Sequence, residues 1–528
     1  MLPLGLYSLF TLLLWEFKPV FGTIINTRAN IPTSPPSNSE KLAPTLLSFS
    51  LEQDRWPDWA GRHSQNVYTY NALTNYAQLT GQPPKIRVGA NTEDRTLWGP
   101  NVDLVSTVFP APNETTPYPE ATSMNVGDEY YRLSRFMPRG THMTWGLNLG
   151  YSNVTNAVNM AQSIFRAFSS ASETTRNGVV LDLIELGNES DLYRGKVRPS
   201  NWTISQFVQN WIENMTPVAR VVKLSVGGPV GVIACSFVTR IFTATGSFNA
   251  GILDSEPGKY ITHISQHWYS GEFCNGGDFH LRSFMSKSAV RGNLTVFNPD
   301  ITATRSRGLV YVMGETNSIG CHGAPGVSNT AGAALWAIDY TLQAATLGIQ
   351  EIYYHGGIGF KYNFFQPIAL DRSPVNNSHL SPPSQPYLQP PYYAGLVVNT
   401  AVGRMAGSGM TKIVELELTA PNLSGYAIYE MGKPARAVFV NLNAWLKSDA
   451  RVRERSVYHI DLSFVSTAKE IKIKRLDIGY ADDTSSLMWG GQSWETREFL
   501  VSGREVTETR SRDEGVDIRE TEAILIWF

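Results

Sequence analysis

The chain has 528 residues, 42 % of them hydrophobic, with a formal net charge of −2 and three cysteines. So even a charge balance leaves no electrostatic footprint for nucleic acid or another polyanion. The length is too great for one small domain and suits a large barrel with a smaller domain beside it.

Residues 1–22 carry an apolar segment that Glu16 and Lys18 interrupt, with small Val20 and Gly22 near a cleavage point. This is the pattern of a secretory signal peptide, and its apolar part is too short to span a bilayer. Cys235, Cys274 and Cys321 fall in three predicted βα loops and allow one disulfide at most, its pairing left open. Sequons at Asn113, Asn153, Asn201, Asn214, Asn293, Asn376 and Asn422 fit secretion. An eighth, at Asn188, would put a glycan where it blocks a catalytic acid.

From residue 46 an alternation begins. Apolar strand candidates are 46–51, 85–90, 142–149, 179–186, 221–226, 260–268, 309–313 and 349–354. Helical periods separate most of them, with Val67, Tyr70, Leu73 and Ala77 on one face and Phe207, Trp211, Met215 and Val218 on another. Eight such repeats predict a closed parallel barrel. An open doubly wound sheet is disfavoured, because no Gly-rich phosphate fingerprint follows an early strand. Residues 371–393, rich in Pro and Ser, read as a loop, and 394–405 as the last barrel helix. Beyond them come only short alternating segments, at 412–418, 425–429, 437–442, 457–464, 470–476 and 521–527, which predict a β-sandwich. The fold class is therefore α/β: a (β/α)8 TIM barrel over residues 46–405 and a C-terminal β-sandwich over 406–528. Residues 23–45 form an N-terminal segment placed to join the sandwich.

Two of these strands end on carboxylates. The run at 309–313 stops at Gly314-Glu315, before a Gly-rich loop and a helix that Ser328 or Asn329 can cap and Gly348 can stop. The run from 179 leads into Glu185-Leu186-Gly187-Asn188-Glu189. In a parallel barrel the C-terminal strand ends build the active site, and two carboxylates on different strands are the minimum equipment for cleaving a glycosidic bond. Glu185 faces the same side as Glu189 by two-residue alternation and reads as a supporting residue in the barrel interior. His263, His267 and His280 lack metal-ligand spacing and read as structural, and there is no G-x-S-x-G elbow.

The segments ELGNESDLY (185–193) and MGETNSIGCHGAPGVSNT (313–330) carry a family resemblance, extended by LSFSLEQDRWPDWAG (47–61), IRVGANTED (86–94), QHWY (266–269) and WGGQSWE (489–495). Here the chain resembles glycoside hydrolase family 79, the β-glucuronidase and heparanase group, in its secreted fungal-type members. The resemblance implies a retaining hydrolase that removes β-linked glucuronic acid, or its 4-O-methyl form, from glycans such as arabinogalactan proteins. It implies Glu189 as acid/base, Glu315 as nucleophile, and Asn188 on the sugar 2-hydroxyl. Glu52 and Asn91 match contacts to other hydroxyls, Tyr269 a tyrosine that orients the nucleophile, and Tyr362 one near the uronic carboxylate. The loop after Glu315 departs from heparanase, with Cys321 and His322 where heparanase has glycines, so His322 could pair with a carboxylate or add a ligand. No metal and no cofactor is expected. The partners are oligo- or polysaccharide or glycoprotein glycans, with neither nucleic acid nor membrane, and the protein is expected as a secreted, extracellular monomer. Two rival readings are an endo-β-glucuronidase of heparanase type and a non-catalytic carbohydrate-binding protein on the same fold. The first should line its cleft with Lys and Arg, which the predicted loops lack; two intact glutamates argue against the second.

Overall fold

In the computed structural model, residues 23–462 and 469–528 are described. The expected signal peptide and the end of the predicted strand at 457–464 lie outside the described residues. Eight strands, β1 (Leu47–Glu52), β2 (Ile86–Gly89), β3 (His142–Leu147), β4 (Val180–Leu186), β5 (Gly231–Phe237), β6 (Ile261–Tyr269), β7 (Val310–Asn317) and β8 (Ile352–Gly356), close into a barrel in chain order. Every neighbouring pair is parallel. The predicted (β/α)8 barrel is thus the architecture observed.

The barrel interior is layered. Near the strand starts, Lys85 bridges Asp182 at 2.9 Å and Glu351 at 2.8 Å. Above this plug Leu183, Ile233, Val312 and Tyr353 pack into a small apolar cluster. Towards the C-terminal ends the buried inward positions turn polar, with Ser50, Arg87, Glu185, His267, Glu315 and His355. The floor keeps water out from below, so charged groups set on it act on one another at low dielectric.

Three sequence expectations need correction. The fifth strand is Gly231–Phe237, not 221–226. Val221 closes the helix Ile204–Val221, and the segment after it turns through Lys223 in the left-handed region; alternating apolar residues there mimic a strand without pairing. Cys235 consequently lies within β5, buried, instead of in a loop. The Pro-rich stretch is not structureless, since Leu370–Arg372 pairs antiparallel with His379–Ser384 and Tyr387–Leu388 with Phe365–Gln366. Proline is tolerated there because these short ribbons are edges. The helix after β7 spans Ala331–Thr346 with Thr330 at its N-cap position, in place of Ser328 or Asn329; Gly348, at φ 88°, follows its end.

Beyond the last barrel helix, Pro391–Val402, the strands Thr411–Glu415, Leu423–Glu430, Lys433–Asn441, Glu522–Trp527 and Glu470–Asp477 form one antiparallel sheet. A second, three-stranded sheet sets Ile24–Arg28 parallel to Val457–Asp461, which also pairs with Val516–Arg519. Leu423, Phe439, Ile460, Ile518 and Ile526 pack in the core between them. The sandwich grips the barrel through the buried Asp339 of the helix after β7, which accepts from the Tyr426 hydroxyl at 2.6 Å and pairs with Arg291.

Cys274 and Cys321 form a disulfide across 47 residues, joining the loop after β6 to the loop after β7. Closing a loop of that length in the unfolded chain is worth about 3–4 kcal/mol. Replacing both cysteines by serine should lower the denaturation midpoint by that order, and reductant should then have no further effect.

Of the sequons, Asn188 and Asn214 are buried. The Asn214 amide donates to the Asn210 carbonyl at 2.9 Å, so neither is a ready glycan acceptor.

Candidate active site

Glu189 sits just beyond β4, at the end of a strained turn. Gly187 takes φ 85°, where a Cβ would come within 3.0 Å of Leu149 and the Tyr193 hydroxyl, and Glu189 itself lies in the left-handed region at φ 47°. A non-glycine residue in that region costs of order 1 kcal/mol and needs outside support. Asp94 supplies it, accepting from Asn188 N at 3.1 Å, Tyr193 Oη at 2.5 Å, Leu149 N at 2.9 Å and Gly150 N at 2.8 Å. The Glu189 amide donates to Ser236 O at 2.9 Å, which ties the turn to β5.

Glu315 lies inside β7 and faces Glu189. One oxygen of each carboxylate and a ring nitrogen of His267 all fall within 4.8 Å of one another. The Tyr269 hydroxyl donates to Glu315 Oε1 at 2.7 Å, and Arg87 Nη1 donates to Oε2 at 2.9 Å. His267 Nδ1 is 3.1 Å from Glu189 Oε1.

Arg87 is the hub beneath the pair. Fully buried, it donates through Nε to Glu185 at 2.6 Å, through Nη1 also to Ser50 Oγ at 2.8 Å, and through Nη2 to Asn188 Oδ1 at 2.8 Å. Glu185, which also accepts from Ser236 Oγ, is thereby a support inside the barrel. Glu93 presses over the floor as well. A Cβ on Gly146 would come within 1.9 Å of its carboxyl, so only glycine admits it there.

These contacts push the two glutamates apart in acidity. Burial raises the Glu189 carboxyl well above the usual range, and the charges of Glu315 and Asp191 raise it further. Burial would raise Glu315 too, but His355, His267, Arg87 and the Tyr269 hydroxyl outweigh it and hold Glu315 at about 2. Against its own burial, His355 is raised to about 9 by Glu315 and Glu52, whereas burial takes His267 down to about 4. The Glu189 carboxyl is thus the weaker acid and Glu315 the stronger, the ordering that acid-assisted glycoside cleavage needs.

The remaining expected residues gather around this pair. Glu52 ends β1, with Oε2 accepting from Thr92 N at 3.1 Å and Thr92 Oγ1 at 2.5 Å. Its buried Oε1 pairs with His355 Nε2 at 3.5 Å, too far and poorly aligned for a short hydrogen bond, and accepts no other among the described residues. Asn188 is held by Arg87, and Asn91 stands at the exposed rim, its Oδ1 3.5 Å from Asn188 Nδ2. Tyr362 is buried and stacks on Tyr269 with centroids 6.2 Å apart. His322 Nε2 pairs with Glu120 at 3.1 Å.

Sequence reasoning passed over Arg87, Asp94, Glu120 and His355, and took His267 for a structural residue. Glu189, His267 and Glu315 could offer three ligand atoms to a metal ion. With the Arg87 guanidinium on Glu315 and the His355 ring 3.9 Å from it, that carboxylate already has its cationic partners.

Residues 425–525 match the Glycosyl hydrolase family 79 C-terminal beta domain. A β-glucuronidase of Neurospora crassa is 26 % identical over 527 residues, covering 92 % of this chain and 90 % of that protein. A β-glucuronidase of Aspergillus niger is 28 % identical over 484 residues, covering 87 % and 84 %. This chain is a glycoside hydrolase, similar to these β-glucuronidases and, over residues 425–525, to the C-terminal domain of family 79. The crystal structure of a 4-O-α-L-rhamnosyl-β-D-glucuronidase from Fusarium oxysporum superposes on this chain with a TM-score of 0.78 at 22 % identity, covering 95 % of this chain and all of that one. An arabinofuranosidase of family 51 from Xanthomonas axonopodis shares the fold at a TM-score of 0.61 and 12 % identity, covering 95 % and 99 %.

Proposed function

We propose that the hydrolase removes β-linked glucuronic acid, or its 4-O-methyl form, from glycans by double displacement, with Glu315 as nucleophile and Glu189 as acid/base. The observation that carries this reading is the facing of two buried carboxylates whose oxygens lie within 4.8 Å, in surroundings that raise one and lower the other in pKa. Retaining hydrolases keep their carboxyl groups about 5–5.5 Å apart, whereas inverting ones need about 6.5–9.5 Å to admit a water. In the first step Glu189 gives its proton to the leaving oxygen while Glu315 attacks the anomeric carbon. In the second, Glu189 takes a proton from water, which displaces Glu315. Asn188, fixed by Arg87, presents its amide to the 2-hydroxyl. Glu52, through Oε1, and the rim amide of Asn91 serve other hydroxyls. Tyr269 aims the nucleophile, and Tyr362 and His322 face the uronic end of the sugar. The two β-glucuronidase relatives support the uronic substrate. The disulfide and the exposed sequons support an oxidising, extracellular setting.

The test is release of 4-nitrophenol from 4-nitrophenyl β-D-glucuronide, with the β-glucoside and β-xyloside as controls. Turnover of the glucuronide alone is expected, and turnover of a neutral glycoside in its place would remove the uronic assignment.

The pH dependence follows from the same pair. The active form needs Glu315 ionised, which holds above about 2, and Glu189 protonated. Because the Glu189 carboxyl titrates above its ordinary range, kcat/KM should fall on the alkaline side as Glu189 loses its proton. In Glu189→Gln that alkaline limb should vanish, and substrates with poor leaving groups should slow far more than nitrophenyl ones. An unchanged limb in the variant would place the titration elsewhere.

A further inference from the structure

We infer that the hydrolase carries a second sugar-binding site, a cavity between barrel and sandwich that takes a neutral pyranose of the glycan away from the bond being cut. The choice of ligand rests on the glucuronidase reading above; the cavity itself does not. It encloses about 600 Å³, and its walls include Tyr68, Gln385, Tyr387, Ser485, Arg497 and Phe499. That volume lies in the range of small-molecule sites. The lining suits a sugar, whose ring has an apolar face of C–H groups and a rim of hydroxyls. Aromatic rings meet the face, and an amide, hydroxyls and a guanidinium meet the rim. Burial alone lifts the Tyr387 hydroxyl to about 12, with no charge or hydrogen bond contributing, so that group is open to a ligand. Glu495 lines the cavity beside Arg497, and their opposite charges favour a neutral sugar over an acidic one.

The cavity sits at the catalytic face but outside the barrel wall. Tyr68 stands on the first turn of the helix Val67–Thr80, which follows β1 and so begins at the C-terminal end of the strands. Asn66, the N-cap of that helix, donates to Pro367 O at 3.1 Å, in the connection after β8 that also supplies Tyr387. Phe499 meets Phe365 at 6.3 Å, and Phe365 packs on Phe49 of β1 and on Tyr392 of the last barrel helix, in the layer between strands and helices. The cavity therefore lies beyond that layer, beside β8 and β1 and across the closed strand order from β4, whose Glu189 faces the leaving oxygen. A sugar held there belongs to another branch of the glycan than the scissile bond.

The site is formed before any sugar arrives. Glu495 accepts from Ser486 N at 2.8 Å and Leu487 N at 3.2 Å, which fixes the loop that carries Ser485. Asn71 and Asn75 of the barrel helix donate to Glu498 O and Phe499 O, each at 2.8 Å. Those bonds hold Glu498 and Phe499 at φ 59° and 57°, in the left-handed region that a bulky residue avoids. The turn delivers the Phe499 ring against Tyr68, with centroids 5.1 Å apart. Strained backbone held by two separate bonds points to a conformation with a use beyond packing.

The experiment measures binding of an arabinogalactan stripped of its terminal glucuronic acid, and so of the ligand for the catalytic cleft. The proteins are the native chain, Ser485→Trp and Tyr387→Phe. Ser485 is exposed, so tryptophan there fills the cavity without disturbing the core, and Tyr387→Phe removes a hydroxyl while keeping the ring. The native chain should be retarded in affinity electrophoresis through the stripped polymer, and both variants, at an unaltered thermal midpoint, should bind about tenfold more weakly. No retardation of the native chain, or equal retardation of both variants, would overturn the site. A second arm compares glucuronic acid release from the intact polymer with 4-nitrophenol release from the aryl glucuronide. A glycan held at a second point gains effective concentration at the cleft, so the polymer-to-aryl ratio of kcat/KM should fall about tenfold in Ser485→Trp; an unchanged ratio would also overturn the proposal. Release from neither substrate by the native chain would strike the glucuronidase reading alone, and binding of the stripped polymer would still decide the site.

Discussion

Glu315→Gln is expected to lower kcat on 4-nitrophenyl β-D-glucuronide by about 10⁴-fold or more, the scale on which enzymes lose rate when a covalent nucleophile is removed. The amide matches the carboxylate in shape: its oxygen can keep the bond from Arg87 Nη1 and its NH2 can donate to the Tyr269 hydroxyl oxygen, the two groups that now hold Oε2 and Oε1 at 2.9 and 2.7 Å. What it lacks is the negative charge that must meet an oxocarbenium-like centre. Substrate affinity should survive the change, since the other contacts to the sugar are untouched. A carbohydrate-binding protein on this fold would have no rate to lose, so rate and affinity measured together separate the two.

Arg87→Met should be the most destabilising single change in the site. Methionine fills a similar volume without charge, but it strands Glu185, Glu315 and Asn188, all buried, without the guanidinium they share. Removing one member of a buried ionic network costs about 3–5 kcal/mol, because the charges left behind stay desolvated. The urea midpoint should fall accordingly. Arg87 is also one of the cations holding Glu315 down at about 2, so the acid limb of the pH profile should move up in the variant as the nucleophile protonates more easily. Adding Glu185→Leu to Arg87→Met should recover part of the lost stability, which simple additivity of two damaging changes would not allow.

Much of this molecule is legible in its sequence, and what is not has physical causes. Val310–Asn317 announces itself because a strand buried on both faces tends to a continuous apolar run, here Val310–Met313, whereas Leu47–Glu52 shows instead as Leu47, Phe49 and Leu51 in alternation with serines. Glu189 and Glu315 stand out because each interrupts such a run where a barrel strand ends. Arg87 was missed although it carries a signal of the same kind: a lone arginine within the wholly buried strand Ile86–Gly89 has to be paired. His355 likewise closes the buried run Ile352–Gly356. Their partners come from other strands, and spacing along the chain carries no record of that. Glu120 lies in a connection with no period at all, and only the folded barrel brings it to His322. The fifth strand was misplaced because Gly231–Phe237 breaks its own pattern, with Cys235 and Ser236 at φ 80° and 32°. That irregularity is where the Ser236 carbonyl takes the Glu189 amide, so the local rule fails at the site itself.

The most direct measurement is the anomer released first, followed by proton NMR during hydrolysis of 4-nitrophenyl β-D-glucuronide before mutarotation sets in. Two displacements through Glu315 require β-glucuronic acid to appear first, with the α-anomer growing in later. Initial release of α-glucuronic acid would mean a single displacement by water, and would contradict the assignment of Glu315 as a nucleophile.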